Sequence, residues 1–246
     1  HAGAVKLSDV AHGDAQSDDY RILTGLASLD ESLSLHTGEV TLLSGPTGYG
    51  KSSLATQIAT NASRRGEGVL YIQLEDKASK LAMRVACSMR DIDSRKLTSG
   101  TASVDERQSF ADAKAELNAL PFDIIDNDEM TAIGVSGAVA RAKLAAYQRG
   151  LHLRLVVIDY LQLVNGKRLV SERDTREMEV SAVSRAMVRL SLRDRVAVLV
   201  LSQLNADGEV RESRGALQHA ANWIDLKLIR QSQGRASGDP LGMQLR

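Results

Sequence analysis

The first chemical signal in this chain is the run Gly45-Pro46-Thr47-Gly48-Tyr49-Gly50-Lys51-Ser52. Glycines at its ends and centre let the backbone turn tightly enough to aim several N–H groups at one anion. A lysine and a hydroxyl follow where a polyphosphate and its metal would sit. The flanks are those this geometry needs. Val40 to Leu43 are apolar and β-favouring, as in a buried strand. From Ser53 to Arg64, Leu54, Ala55, Ile58 and Ala62 fall on one side of a helix, and its N-terminus adds partial positive charge at the turn. The pattern predicts a nucleotide-binding turn of Gly45, Pro46, Thr47, Gly48, Tyr49, Gly50, Lys51, Ser52 and Ser53. Lys51 would reach the β- and γ-phosphates of ATP, and Ser52 would bind Mg²⁺. The plain alternative is a glycine-rich turn with a surface lysine.

Three other apolar runs end in a polar side chain. Leu155-Val156-Val157-Ile158 leads to Asp159, a strand-end carboxylate suited to the Mg²⁺ shell. Val69-Leu70-Tyr71-Ile72-Gln73-Leu74 leads to Glu75, placed to activate an attacking water. The alternative for Glu75 is that it opens the next helix together with Asp76, favoured by the helix dipole. Leu199-Val200-Leu201-Ser202 leads to Gln203, an amide able to contact a γ-phosphate and a neighbouring loop, or simply a polar strand terminus. In open α/β sheets the crevice outside such strand ends is where ligands bind.

The elements that must position these groups alternate along the chain. Strand-like runs cover 39–44, 68–74, 122–126, 153–158, 196–202 and 223–229, and several are near-continuously apolar, as in parallel strands covered on both faces. A helix over 77–90 groups Leu81, Ala82, Val85, Ala86 and Met89. Another over 104–119 opens on Ser103 and Glu106, a capping box, with Phe110, Ala113 and Leu117 as its stripe. A helix over 132–149 follows Thr131 as N-cap and stops at Gly150. One over 174–193 groups Ala182, Val183, Ala186, Met187 and Leu190. Strands separated by helices in this way predict a three-layer α/β domain with a mostly parallel central sheet. Residues 1–20 read as a linker or flexible arm, and 21–246 as the domain.

The 246 residues suffice for a substantial core, and 43% hydrophobic with 25% charged residues is the composition of a globular protein. No run of apolar residues is long enough for a membrane span, and no signal peptide is expected. The lone Cys87 excludes an internal disulfide. With 31 basic and 31 acidic side chains, bulk charge cannot drive nucleic-acid binding, and 3% aromatics argue against base stacking. His12, His36, His152 and His219 lack metal-ligand spacing. Met83, Met89, Met178 and Met187 recur at helical spacing and read as core. The chain begins at His1, so a piece of a longer polypeptide is expected.

Taken in order, these strand ends resemble the RecA-like ATPase domain of the DnaB family of replicative ring helicases. The matching pieces are Thr24-Gly25-Leu26 with Leu29-Asp30, the glycine turn, Leu74-Glu75, and Ile158-Asp159-Tyr160-Leu161-Gln162-Leu163. Ser202-Gln203-Leu204-Asn205 and Arg211-Glu212-Ser213 complete the set. The resemblance implies a RecA-like P-loop NTPase fold and a hexameric ring that hydrolyses NTP between subunits while drawing single-stranded DNA through its channel. It assigns Glu75 to water activation, Asp159 to Mg²⁺ and Gln203 to sensing. It puts DNA-binding loops at 164–176, with Lys167, Arg168 and Arg173, and at 204–215, with Arg211, Glu212 and Arg214. Arg235 is its candidate for an arginine acting in a neighbour's site.

The chain departs from the family pattern in three places. Arg214 intervenes before Gly215, the stretch from Asn205 to Arg211 is short, and Arg235-Ala236-Ser237 stands where many members have a Lys-x-Arg pair. A primase and a helicase loader are the implied partners. The cytoplasm of a bacterial or phage-infected cell is the expected compartment, ahead of a mitochondrial matrix. A second reading stays open on the sequence alone: a nucleotide-gated DNA-binding ring or filament of the recombinase type, with weak catalysis.

Overall fold

A computed structural model describes residues 21–171, 174–203, 219–227 and 244–245. The expected arm over 1–20 lies outside the described residues. The chain enters through a small antiparallel ribbon, β1 (Arg21–Ile22) and β2 (Leu35–His36), with the short helix α1 (Ala27–Ser32) between them. Asp30 organises this corner. Its carboxylate accepts from Thr24 N and Oγ1, both at 2.7 Å, and from Gly25 N at 3.0 Å. The Thr24–Asp30 stretch that carries part of the family resemblance is therefore scaffolding.

The main sheet comprises β3 (Val40–Gly45), β4 (Gly68–Gln73), β5 (Phe122–Asp126), β6 (Leu153–Asp159), β7 (Ala197–Gln203), β8 (Asn222–Asp225) and β9 (Gln244–Leu245). Its order is β5-β4-β6-β7-β3-β8-β9, and only the β8–β9 pair is antiparallel. The helices α2 (Lys51–Arg64), α3 (Ala78–Ser88), α4 (Ser94–Thr98), α5 (Val104–Ala119), α6 (Ala132–Gln148) and α7 (Arg176–Asp194), with two 3-10 turns at Leu161–Leu163 and Lys167–Leu169, complete the described elements. Alternation along each central strand feeds two separate cores. Leu42, Leu70, Ile72, Val156, Ile158, Val198 and Val200 pack with α6 and α7. Leu43, Val69, Tyr71, Leu155, Val157, Leu199 and Leu201 pack with α2, α3 and α5. Both faces are covered, which is why the strands read as unbroken apolar runs. Each fully buried aliphatic side chain contributes about 1.5–3 kcal/mol.

The predicted helices and strands fall within a few residues of their expected bounds. The Ser103–Glu106 capping box forms in both directions, and the Thr131 side chain caps α6 through Gly134 N at 3.0 Å. α2 starts at Lys51, before the expected Ser53, because Gly50 in the left-handed region turns the chain directly into the helix. β8 ends at Asp225, short of the expected 229. The ribbon, α1 and α4 went unpredicted, being too short for any periodicity to register. Met178 is 49% exposed, against the expectation of a core residue. It lies nine residues before fully buried Met187, which at about 3.6 residues per turn puts the two on opposite faces of α7.

Candidate active site

Gly45 ends β3, and the chain then turns through Pro46 to Gly50 into α2. Gly48 and Gly50 have φ of 83° and 87°. A Cβ at either would meet nothing within 4 Å, so these glycines are required for their backbone conformation and not for space. Gly50 is the N-cap of α2 and brings no side chain to it. The first-turn N–H groups therefore face the turn, where an anion would be held.

Lys51 is buried, and its Nζ donates to the carbonyls of Gly45 (2.7 Å) and Pro46 (2.8 Å). These two bonds fold the ammonium back over the turn. Since an ammonium has three donors, one is left to point elsewhere. Burial lowers the Lys51 pKa, while the charges of Asp159 and Glu75 pull the other way. Ser52 and Ser53 stand beside Lys51 on the cavity wall, while Tyr49 is 37% exposed at the outer edge of the turn.

Across the turn lies Asp159, the last residue of β6, only 2% exposed. Tyr71 Oη, itself fully buried on β4, donates to its Oδ2 at 2.9 Å. Gln73, paired with Asp159 in the β4–β6 register, donates to the same oxygen at 3.3 Å and accepts from Asp76 N at 3.2 Å. The Ser52 hydroxyl also hydrogen-bonds to the carboxylate. Burial raises the Asp159 pKa against these bonds and against the charges of Arg84 and Lys51. A carboxylate kept from water with only partial compensation gains from a cation, and together with the Ser52 hydroxyl it forms a hard-oxygen donor pair. No cluster of three or more His, Cys, Asp or Glu side chains suited to a metal occurs among the described residues. Other oxygens, from phosphate or water, would have to complete the shell.

Thr47, Gly48, Gly50, Lys51, Ser52 and Ser53 share a cavity of about 250 Å³ with Glu75, Arg84, Asp159, Tyr160 and Gln203. The fold thus brings together the turn and all three strand-end side chains singled out in the sequence. Glu75 is exposed and lies outside α3, whose first N–H groups are met by Asp126 through Ala78 N at 2.9 Å. The helix-opening alternative for Glu75 therefore fails. Tyr71, Gln73, Arg84 and Tyr160 were missed as site residues. Arg84 pairs with Asp76 at 2.8 Å, and its buried Nε has no acceptor among the described residues. Its only signal in sequence is a cation on a polar face of the helix that follows Glu75. Tyr71 carried none, since a tyrosine inside an apolar strand reads as core.

Lys167 is exposed in a 3-10 turn after β6, away from this cavity. Arg173, Arg211, Glu212, Arg214, Arg235 and the side chain of Arg168 lie outside the described residues. Among the described residues, no helix is long and apolar enough to cross a membrane.

Across 84% of its length the chain resembles a solved ATPase domain, with a TM-score of 0.76 and 22% identity, covering 75% of that chain. It resembles a DnaB-like replicative helicase, solved for its interactions with primase, at a TM-score of 0.76 and 21% identity. That match covers 84% of this chain and 51% of the other, so the chain spans about half the length of that helicase. At these identities the likeness is one of fold. No curated protein matches the chain significantly. The family described as the DnaB-like helicase C terminal domain matches residues 21–218. The chain belongs to this family: it is a DnaB-like helicase C-terminal domain, a P-loop ATPase domain of RecA-like fold.

Proposed function

We propose that the cavity between the glycine turn and Asp159 hydrolyses ATP as its Mg²⁺ complex, and that a ring of six copies converts this into movement along single-stranded DNA. The observation that supports the site is the convergence of Lys51, Ser52, Glu75, Asp159 and Gln203 on one cavity from four separate elements. The turn amides and Lys51 hold the β- and γ-phosphates. Ser52 and Asp159 would hold the Mg²⁺, which when bound supplies charge neutralisation on the phosphate oxygens. Glu75 takes the proton of the attacking water. The unsatisfied Arg84 Nε–H and the Gln203 amide bind the γ-phosphate oxygens, where charge builds in the transition state. Arg235 of an adjacent copy adds a further cation there.

The segments 164–176 and 204–215 contact DNA. Their few cations suit a neutral chain, because six copies of a small basic loop line a channel while the exterior stays balanced. A primase is a partner of this chain, in keeping with the similar helicase solved for its primase interactions, and a loader is a second partner. The cytoplasm of a bacterial or phage-infected cell is the proposed site of action, ahead of a mitochondrial matrix.

The test is hydrolysis and strand displacement on a forked duplex, with sizing of the chain with and without MgATP. ATP-dependent unwinding by a six-copy species is the expected result. Stable coating of single strands without unwinding would replace the motor with a nucleotide-gated coat.

A further inference from the structure

Gln162 lies where three parts of the molecule meet. It sits in the 3-10 turn Leu161–Leu163, directly after β6 and Tyr160. Its Nε2 donates to Ser202 Oγ at 2.9 Å and to Gln203 O at 3.2 Å, at the tip of β7. Gln203 lines the nucleotide cavity and is the last residue before the segment 204–215. On its other side, the Gln162 carbonyl accepts from the guanidinium of Arg176, the first residue of α7. Arg176 also pairs with Glu179, three residues further along the helix.

Glu179 is 7% exposed, and its Oε1 accepts from Gly166 N at 2.8 Å. Burial opposes its ionisation, but Arg176 and the Gly166 N–H outweigh this and hold the carboxyl below its ordinary range. A Cβ on Gly166 would come within 2.6 Å of Val183 Cγ2 and 2.8 Å of Glu179 Cγ, so the root of the segment 164–176 is pressed onto α7. Outside this contact, Gln162, Asn165, Lys167, Arg176 and Glu179 border a hollow of about 620 Å³, which leaves the segment room to shift.

We propose that Gln162, Arg176 and Glu179 form a relay that ties the γ-phosphate side of the nucleotide cavity to the root of the segment 164–176. Gln162 acts as a positioning residue through Gln203, and Glu179 acts through Gly166. The inference rests on the reading of 164–176 as a DNA-contacting segment. Its physical basis is that the two end links, Gln162 to Ser202 and Gln203 and Glu179 to Gly166, are hydrogen bonds between buried or half-buried groups, joined through the exposed Arg176 guanidinium. Such networks hold few alternative arrangements, so movement of the Gln203 backbone must either carry Gln162 with it or break the chain of bonds.

Two variants of the full chain test this. Glu179→Gln keeps an acceptor for Gly166 N but removes the charge facing Arg176. Gln162→Ala removes the bonds to Ser202 and Gln203. Hydrolysis is measured with and without oligo(dT). In Glu179→Gln the DNA-free rate should stay near wild type while acceleration by DNA falls by about fivefold or more. Gln162→Ala should lose acceleration to a similar extent, and the double variant should lose no more than the worse single one. Hydrogen exchange over 164–170 gives a second readout. A nonhydrolysable MgATP analogue should change the exchange of the Gly166 amide in wild type and leave it unchanged in Gln162→Ala.

Wild-type acceleration in both variants, fully additive losses, or an unaltered exchange response in Gln162→Ala would overturn the relay alone. A wild-type chain that DNA does not accelerate would overturn the DNA-segment reading and the relay with it.

Discussion

Two hollows lie at opposite edges of the main sheet, about 550 Å³ where the parallel strands begin and about 250 Å³ where they end. The wider one is lined by Thr37, Lys143, Tyr147, His152, Arg154 and Asp194, among others. Its charges are matched. Lys143 Nζ donates to Asp194 O at 2.8 Å, Arg193 pairs with Asp194 at 2.6 Å, and Arg154 faces Glu67 at 3.6 Å. Lys143, reaching across from α6, and Arg193, in the last turn of α7, meet the negative pole of α7 at its C-terminal end. At the narrower hollow the groups are under-compensated. Lys51 keeps one donor beyond its two carbonyl bonds, Asp159 is buried with hydroxyl and amide donors, and Arg84 Nε lacks an acceptor among the described residues. Parallel topology sends the C-terminal ends of β3 to β8 and the N-terminus of α2 to the same edge, so unspent donors collect there. Cavity volume is a poor guide to chemistry in this molecule; uncompensated polarity is the better one.

The largest expected break in this contrast is Lys51→Ala, which should lower ATP hydrolysis by roughly a thousandfold or more with little change in melting temperature. Persistent DNA-stimulated turnover in that variant would relocate the site. Glu75→Gln should cut kcat by about 10²–10⁴-fold, while equilibrium binding of ATP, followed by the fluorescence of the single Trp223, stays within a few-fold of wild type. Trp223 suits this use because its indole N–H donates to Ser44 Oγ at 2.6 Å, on the strand that leads into the glycine turn.

Asp159→Asn sharpens the comparison through stability. Burial raises the Asp159 pKa, so the fold favours the neutral acid, and stability is lost as pH climbs from the ordinary carboxylate value through the raised one. An asparagine cannot ionise. In chelator at neutral pH the variant should melt above wild type, with the gap closing in acid, while Mg²⁺-dependent hydrolysis is lost. Thermal scans at both acidities check the sign. The smallest effect belongs to the other edge. Lys143→Ala removes a 39%-exposed partner of Asp194 and should cost under about 1 kcal/mol in denaturant titration, with hydrolysis unaffected.

Much of the site was legible because its groups terminate elements. Glycines with positive φ, a lysine opening a helix and a carboxylate closing an apolar run are each written within a few neighbouring residues. Gln203 and Glu75 were legible for the same reason. Arg84 was not, because a helix-face arginine reads as solvated until the fold turns that face toward the cavity. Tyr71 and Gln73 stayed hidden because strand alternation says only that a side chain points up or down, not which partner strand it meets. Met178 shows the same limit from the opposite side: helical spacing was recognised, but the phase that separates it from Met187 was not.

Read alone, the chain determined which segments are buried on both faces, where the anion turn lies and which side chains end the strands. These are matters of local sterics and periodicity, settled over a handful of positions. Tertiary structure decided that β6 and β7 lie between β3 and β4, which sets Asp159 opposite Ser52 and delivers Tyr71 and Gln73 to its carboxylate. It also decided that Gln162 would bridge the tip of β7 and the start of α7. Strand order is settled by crossover handedness and by burial shared among residues a hundred positions apart, and no window of sequence contains it.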